Sequence, residues 1–196
     1  MSFSKIRDEI IMQIYKSFIP YLKDNSNGIE LIDPLENRVI GFHYGETHFA
    51  VAFIIFGYLS KNEDVYKKGV KLLNYFLSNL KEYQKISEYH WDFNNFALAV
   101  LVEFLNRQKI EIPNISISKL KKIIIDQNDS THGTINWMPM RAYVNWCKFN
   151  WTKEKQYNEN VKNYLNKVER ATYSDGFIED FLPKGKSFNF QYHIYT

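Results

Sequence analysis

The side chains best suited to acid–base chemistry and ligand stacking are concentrated in a few short segments of this chain. Each segment leads into, or opens, a strongly apolar stretch. Together they hold all five histidines (His43, His48, His90, His132 and His193), the acids Glu46, Asp92 and Asp175, and the tryptophans Trp91 and Trp137. Polar and aromatic groups that converge on one concavity are typical of a small-molecule or glycan site. The sequence therefore predicts a site built from these segments.

Two chemistries fit such a site. In glycoside hydrolysis one carboxylic acid protonates the leaving oxygen, and a second carboxylate activates water or attacks the sugar. The candidate pairs are Asp92 with Glu46 and Asp92 with Asp175. Like charges close together would raise one pKa, as the acid role requires.

Elimination from a uronate needs a different set of groups. Asn, Arg or His neutralises the uronate, and Tyr or His abstracts the proton beside it. Asn136, Arg141, His193 and Tyr192 provide that set, with Asn95 and His90 in reserve. The predicted catalytic residues are thus Asp92, Glu46, Asp175, His90, His193, Arg141 and Tyr192. Those predicted to bind substrate are His43, His48, Trp91, Asn95, Asn136 and Trp137.

Structural roles compete with these assignments. Thr47, Asn94 and Asp92 stand where helix N-caps stand, and a cap stabilises a helix by about 1 kcal/mol without any other role. Trp91 and Trp137 either line a sugar subsite or wedge hairpins together. Three further residues are expected in the core, namely Trp146, Trp151 and Cys147.

An internal repeat organises these segments. The stretch at 43–52 recurs at 90–99, so that His43 aligns with His90 and Phe49 with Phe96. Weaker copies begin near Asn136 and near Phe188. A period of roughly 45–50 residues is typical of stacked helical hairpins.

The hydrophobic pattern alternates between two kinds of helix. Nearly continuous apolar runs at 49–60, 94–107 and 139–149 predict buried inner helices. Amphipathic stretches at 62–83, from Ser116 or Ser118 to 126, and at 153–171 predict outer helices, after a first helix at 4–22 and a small hairpin at 29–40. Asn62 and Thr152 are the predicted N-caps of the first and the last of these outer helices. On the last one, the residues predicted to face inward are Tyr157, Val161, Tyr164, Leu165 and Val168. This alternation predicts an all-α fold, either a closed α/α toroid or an open α-solenoid.

Three motifs resemble the inner-helix openings of the six-hairpin glycosidase-like superfamily: those at 43–50, at 90–95 and at 175–177. That superfamily includes unsaturated glucuronyl hydrolases and the toroid domains of heparinase-like polysaccharide lyases. The resemblance implies a glycoside hydrolase or polysaccharide lyase acting on uronate-containing oligosaccharide. The alternative is a non-catalytic helical-repeat module that binds a glycan or a protein.

The resemblance also implies that 1–196 is one hairpin-repeat domain forming the N-terminal part of a larger toroid. Such a ring usually needs well over 300 residues, whereas this chain supplies about three and a half hairpins. A C-terminal half, or self-association, would complete it.

Composition narrows the remaining classes. A net charge of +3 over 196 residues is too weak to predict nucleic-acid binding. One cysteine excludes a disulfide framework or a multi-thiolate zinc site, and we expect neither metal nor cofactor. The chain lacks a signal-peptide pattern and an apolar run of the ~18–20 residues that a membrane span needs, so a cytoplasmic location is expected.

Overall fold

The computed structural model describes residues 9–10, 12–13, 15–17, 19–25, 28–33, 38–39, 44–86, 91–130, 134–172, 180–182 and 185–187. These residues are mostly helical, which confirms the all-α prediction. The helices are α1 (Tyr44–Leu59), α2 (Glu63–Ser78), α3 (Leu80–Ile86), α4 (Trp91–Gln108), α5 (Ile117–Ile125), α6 (Trp137–Thr152) and α7 (Lys155–Ala171). The chain divides into two compact units. The first holds Met1–Glu88 and Phe104–Ser116, and the second holds Tyr89–Glu103 and Ile117–Thr196.

The helix starts follow the period of the sequence repeat. Helices α1, α4 and α6 begin at Tyr44, Trp91 and Trp137, which are 47 and 46 residues apart. In each case the helix begins at the aromatic residue of the repeated motif. These three helices are the predicted inner helices, and each is followed by an amphipathic one.

The inner helices begin two to five residues earlier than predicted, and this corrects two assignments. Thr47 and Asn94 lie inside α1 and α4 and are fully buried, so neither is an N-cap. Asn62 does cap α2, because its side chain accepts a hydrogen bond from the Val65 amide at 3.2 Å. Thr152, predicted to cap α7, ends α6 instead.

The first unit is built on the hairpin of α1 and α2. Gly57 and Gly69 allow the two backbones to approach, since a Cβ at Gly57 would lie 2.4 Å from the Tyr66 nitrogen and one at Gly69 would lie 2.7 Å from the Ile54 nitrogen. Beside them Tyr15 packs edge-on against Phe53 and donates a 2.6 Å hydrogen bond to Asp64.

A small antiparallel sheet precedes α1. The predicted first helix ends earlier than residue 22, because a 3-10 turn at Ile19–Tyr21 leads directly into β1 (Leu22–Asn25). β1 pairs with β2 (Gly28–Asp33), and β2 pairs with β3 (Arg38–Val39), which confirms the predicted hairpin and adds one strand. Near the other end of the chain, β4 (Asp180–Leu182) pairs with β5 (Gly185–Ser187).

In the second unit α4 and α6 lie side by side and run in the same direction. Three side-chain contacts join them: Asp92 with Arg141, Phe96 with Tyr143, and Glu103 with Trp151. The residue numbers of both partners increase from one contact to the next, as they do only when two helices are parallel. The partners are 47 to 49 residues apart, so neighbouring inner helices meet nearly one repeat apart. Parallel packing of successive inner helices is the arrangement expected of stacked hairpins.

Helix α7 packs against α6 through a partly buried stripe. Tyr157, Val161, Tyr164 and Val168 are half-buried on this stripe, as predicted. Leu165 was expected on the same face but is 51% exposed, which corrects that assignment.

Candidate functional site

A buried ion pair lies at the start of α4. Arg141 donates from both Nε and Nη2 to Oδ2 of Asp92, at 2.8 and 2.6 Å, and the Ser130 amide donates to Oδ1 at 3.1 Å. The side chains of Arg141 and Asp92 are only 5% and 2% exposed. Asp92 is therefore no helix cap: it joins α4 to α6 and to the loop after α5.

A second carboxylate, Asp129, anchors the same loop. It accepts hydrogen bonds from Asn145 at 2.8 Å and from the Tyr164 hydroxyl at 2.7 Å. Asn145 also donates to the carbonyl of Arg141 and accepts from Asn160. Every polar atom of the Asn145 side chain is thus paired, as a buried amide requires.

Lys148 brings a second cation into this region. Its ammonium group donates to the Gln127 carbonyl at 2.7 Å and lies 5.5 Å from the centre of the Tyr157 ring. Lys148 is only 2% exposed. We call Asp92, Asp129, Arg141, Asn145, Lys148 and Tyr164 the polar network.

The buried surroundings of the polar network shift the pKa values of three of its groups. Burial raises the pKa of Asp92, while the Arg141 guanidinium and the Ser130 amide oppose that rise. Burial and the hydrogen bond to Asp129 raise the pKa of Tyr164, which leaves a phenol that holds its proton firmly. Burial lowers the pKa of Lys148, although Asp129 and Asp92 oppose the change. Two carboxylates and two cations thus lie together in the second unit, where their hydrogen bonds join α4, α6 and α7 to the loop after α5.

The predicted tryptophans of the second unit are buried. Trp91 is 4% exposed and Trp137 is 9% exposed. The Trp137 ring meets Phe93 edge-on at 5.0 Å, and the Arg141 guanidinium lies over it at 5.4 Å. Both indoles therefore pack between structural elements.

Two predicted amides lie near these groups in the sequence. Asn136 is half-buried, accepts a hydrogen bond from the Thr134 hydroxyl and makes no side-chain cap bond to α6. Asn95 is 1% exposed on α4, and neither its Nδ2 nor its Oδ1 has a hydrogen-bond partner in the structure. A buried amide without partners is unusual and costs stability.

Two predicted site residues lie in α1, in the first unit. Glu46 is only 1% exposed and accepts a hydrogen bond from the hydroxyl of Tyr83, which is itself fully buried. His48 is half-buried. Glu46 thus has a defined buried partner within its own unit.

Five predicted site residues lie outside the described part of the chain: His43, His90, Asp175, Tyr192 and His193. The Asp92–Asp175 pair and the elimination set of Asn136, Arg141, His193 and Tyr192 therefore stay predictions. One member of the elimination set, Arg141, lies in the described part of the chain and is hydrogen-bonded to Asp92.

A partly exposed group of aromatic residues was missed by sequence reasoning. Trp146 was expected in the core but is 46% exposed on α6. Its ring lies 6.0 Å from that of Tyr143 at 31°, and Tyr143 meets Phe96 of α4 at 5.6 Å and 72°. Phe96 and Tyr143 are half-buried. We call these three residues the aromatic face; their only sequence signal was the i, i+3 spacing of Tyr143 and Trp146 within an inner helix.

The other two predicted core residues of α6 differ from Trp146. Cys147 is fully buried, as predicted, and burial raises the pKa of its thiol to about 12, which makes it unreactive. Trp151 is half-buried, and its indole N–H donates to Glu103 at 2.8 Å.

Comparisons with protein-family models, with curated proteins and with solved structures found no match to this chain. Among the described residues no helix is long and apolar enough to cross a membrane. The same residues contain no group of three or more His, Cys, Asp or Glu side chains arranged to hold a metal ion.

Proposed function

We propose that this chain is a helical-hairpin repeat module that binds carbohydrate on its aromatic face. The observation that carries the proposal is the exposure of Trp146 beside Tyr143 and Phe96 on two adjacent inner helices. Aromatic rings offer a flat apolar surface, and Tyr and Trp add a polar tip. Such a surface suits the C–H face of a sugar ring, whose hydroxyl groups remain at the rim.

The polar network favours binding without catalysis, because its charged groups are already paired inside the protein. Its two cations and two carboxylates are used inside the second unit, and Asp92 accepts hydrogen bonds on both oxygens. The network holds α4, α6 and the loop at 127–130 together. A rigid support of this kind reduces the entropy lost on binding.

A toroidal arrangement is part of the same proposal. The parallel contacts between α4 and α6 support a series of inner helices that line a concave surface, with outer helices behind them. In a toroid the aromatic face would line the central cavity. Further hairpins, or a second copy of the chain, would complete the ring.

Carbohydrate processing is the second candidate. The observation that favours it is the raised pKa of Asp92, which is the direction required of a general acid in glycoside hydrolysis. In this mode Arg141 would release Asp92 on substrate binding, and the acid would act with a second carboxylate. Elimination would instead direct the Arg141 guanidinium towards a uronate.

The test combines binding and turnover on one panel of oligosaccharides. We expect calorimetric titration of the wild-type chain to show saturable binding, and Trp146→Ala to weaken it by about tenfold or more, since a buried aromatic contact contributes on the order of 1–3 kcal/mol. The matched control is Leu165→Ala, which removes another exposed apolar side chain, on α7.

Three outcomes refute these proposals separately. Equal affinity of Trp146→Ala and wild type would refute the aromatic face as the binding surface. No binding to any sugar of the panel would refute carbohydrate recognition. Release of reducing ends or unsaturated uronates that is lost in Asp92→Asn would establish the second candidate in place of the first.

A further inference from the structure

Aromatic residues recur along this chain at equal steps of 47 residues, at Phe49, Phe96, Tyr143 and Phe190. Two successive members of this series are in contact in the second unit, where the rings of Phe96 and Tyr143 lie 5.6 Å apart. The first unit contains a comparable contact, because Tyr58 of α1 meets Phe104 of α4 at 5.8 Å and the two residues are 46 positions apart. Successive inner helices therefore contact each other through residues about one repeat apart.

The side of α4 that contacts α6 identifies the corresponding side of α6. On α4 this side carries Asp92, Phe96 and Glu103. The positions 47 residues later are Pro139, Tyr143 and Asn150 of α6. Trp146 lies on the same side, since it follows Tyr143 by three residues. Pro139 is exposed and Trp146 is 46% exposed. The described residues thus leave this side of α6 partly open to solvent, whereas the same side of α4 is covered by α6.

Helix α7 is also incompletely covered. The outer helix α2 of the first unit buries six residues: Val65, Gly69, Leu72, Leu73, Tyr75 and Phe76. In contrast, α7 buries one residue, Ala171, although it carries an apolar stripe of similar length. Leu165 of α7 is 51% exposed. The last described hairpin, α6 with α7, therefore has apolar side chains open to solvent on both of its helices.

The segment 188–196 has the residues that this open side requires. It lies outside the described part of the chain and begins the fourth copy of the repeated motif. Phe188 and Phe190 stand 47 positions after Arg141 and Tyr143, two of the residues through which α6 contacts α4. The segment contains no Asp, Glu, Lys or Arg, and the open side of α6 at Pro139, Tyr143, Trp146 and Asn150 is also uncharged. Packing the two together would leave no charge unpaired.

The connection after α7 is long enough to bring this segment to α6. Ala171, the last residue of α7, clusters with Trp137 and Met138 at the start of α6. Residues 172–179 then lead to the β4–β5 hairpin, whose two ends, Asp180 and Ser187, are paired. Eight residues reach at most about 28 Å, whereas neighbouring helices lie about 10 Å apart. The segment can thus start at the same end of α6 as a parallel neighbour must.

We propose that residues 188–196 pack along the open side of α6, with Phe190 against Tyr143 and Ile194, one helical turn later, beside Trp146. Removal of apolar and aromatic surface from water drives this contact. The inference goes beyond the proposed function and does not depend on it. It does add a regulatory element to the aromatic face, because a sugar and the segment would compete for Tyr143 and Trp146.

The test is hydroxyl-radical footprinting of the full chain, with the oxidation of Trp146 measured by mass spectrometry. The double variant Phe190→Ser, Ile194→Ser removes the proposed contact. We expect Trp146 to be oxidised about threefold or more faster in this variant than in the wild-type chain, because its 46% exposed ring is then no longer covered. Tyr58, which is 41% exposed on α1, serves as the internal reference and should be oxidised equally in both proteins.

The matched control is Asn189→Ser, Gln191→Ser, which changes two polar residues of the same segment and should leave Trp146 protected. Equal oxidation of Trp146 in the wild-type chain and in Phe190→Ser, Ile194→Ser would overturn the proposal. Protection that disappears when the wild-type chain is diluted would also overturn it, since a second copy would then be the partner that covers α6.

Competition with sugar is measured separately, by calorimetric titration with the oligosaccharide panel. If sugars bind the aromatic face as proposed, Phe190→Ser, Ile194→Ser should bind them several-fold more tightly, because the segment no longer occupies part of the population. Equal affinities would refute the competition. Absence of sugar binding to both proteins would refute the proposed function, while the footprinting result would still decide whether the segment contacts α6.

Discussion

Replacing Arg141 with methionine should be among the most destabilising single changes in the second unit. Methionine keeps much of the length of the side chain but removes both hydrogen bonds to Asp92. The Asp92 carboxylate would then remain buried, with the hydrogen bond from the Ser130 amide still in place. Removing one partner of a buried ion pair typically costs about 3–5 kcal/mol, because the other charge is left uncompensated.

The expected loss depends on pH in a defined direction. Without the guanidinium, burial raises the pKa of Asp92 further above its ordinary value, so the folded chain binds a proton more tightly than the unfolded chain. The unfolded state therefore holds fewer protons between the two pKa values, and stability falls as pH rises through that window. The penalty of Arg141→Met should thus be larger near pH 8 than near pH 5, by about 1.4 kcal/mol for each pKa unit by which the folded value of Asp92 rises within that interval.

Urea unfolding followed by circular dichroism at both pH values measures this effect. In thermal unfolding, a loss of about 3–5 kcal/mol in the free energy of unfolding corresponds to a fall in melting temperature of about 6–20 °C for a chain of this length. The double variant Asp92→Asn, Arg141→Met should recover part of the loss, since no charge is left unpaired.

The control is Lys122→Met, which breaks the solvent-exposed 2.8 Å ion pair with Asp126 at the end of α5. That change should cost less than about 1 kcal/mol. A loss below about 1 kcal/mol for Arg141→Met, or one that adds to the Asp92→Asn effect without coupling, would refute the buried pair.

Three further predictions address packing, the unpaired amide and the buried lysine. Gly57→Ala should destabilise the first unit by about 1–3 kcal/mol in urea unfolding, because the new Cβ would collide with the backbone at Tyr66; a stability gain would show that α1 and α2 are further apart. Asn95→Leu should raise the urea midpoint by removing two unpaired buried polar atoms, and a lower midpoint would mean that the amide binds a partner such as water. For Lys148, burial lowers the pKa, so the unfolded chain binds more protons below about pH 10.5 and wild-type stability should rise with pH across that window. Lys148→Met should lack this rise in alkaline urea titrations, and an identical pH profile for both proteins would contradict the burial of the ammonium group.

The sequence by itself determined the helical class, the repeat and the alternation of nearly continuous apolar helices with amphipathic ones. These features depend on local patterns: the apolar period of 3.6 residues along a helix and the recurrence of the aromatic motif at Tyr44, Trp91 and Trp137. The N-cap of α2 at Asn62 could also be predicted from the sequence, because a capping side chain bonds within the first turn of its own helix.

Only the tertiary structure decided which polar groups meet and which aromatic rings stay exposed. Asp92 and Arg141 are 49 residues apart, and no local pattern indicates that one neutralises the other. Thr47 and Asn94 are residue types that often cap helices. In the structure their helices begin three residues earlier, and both side chains are buried in the core. Trp146 and Cys147 are adjacent in sequence, but one is exposed and the other buried because they lie on different sides of α6. Such outcomes depend on which helix packs against each side, and that is set by long-range contacts rather than by composition.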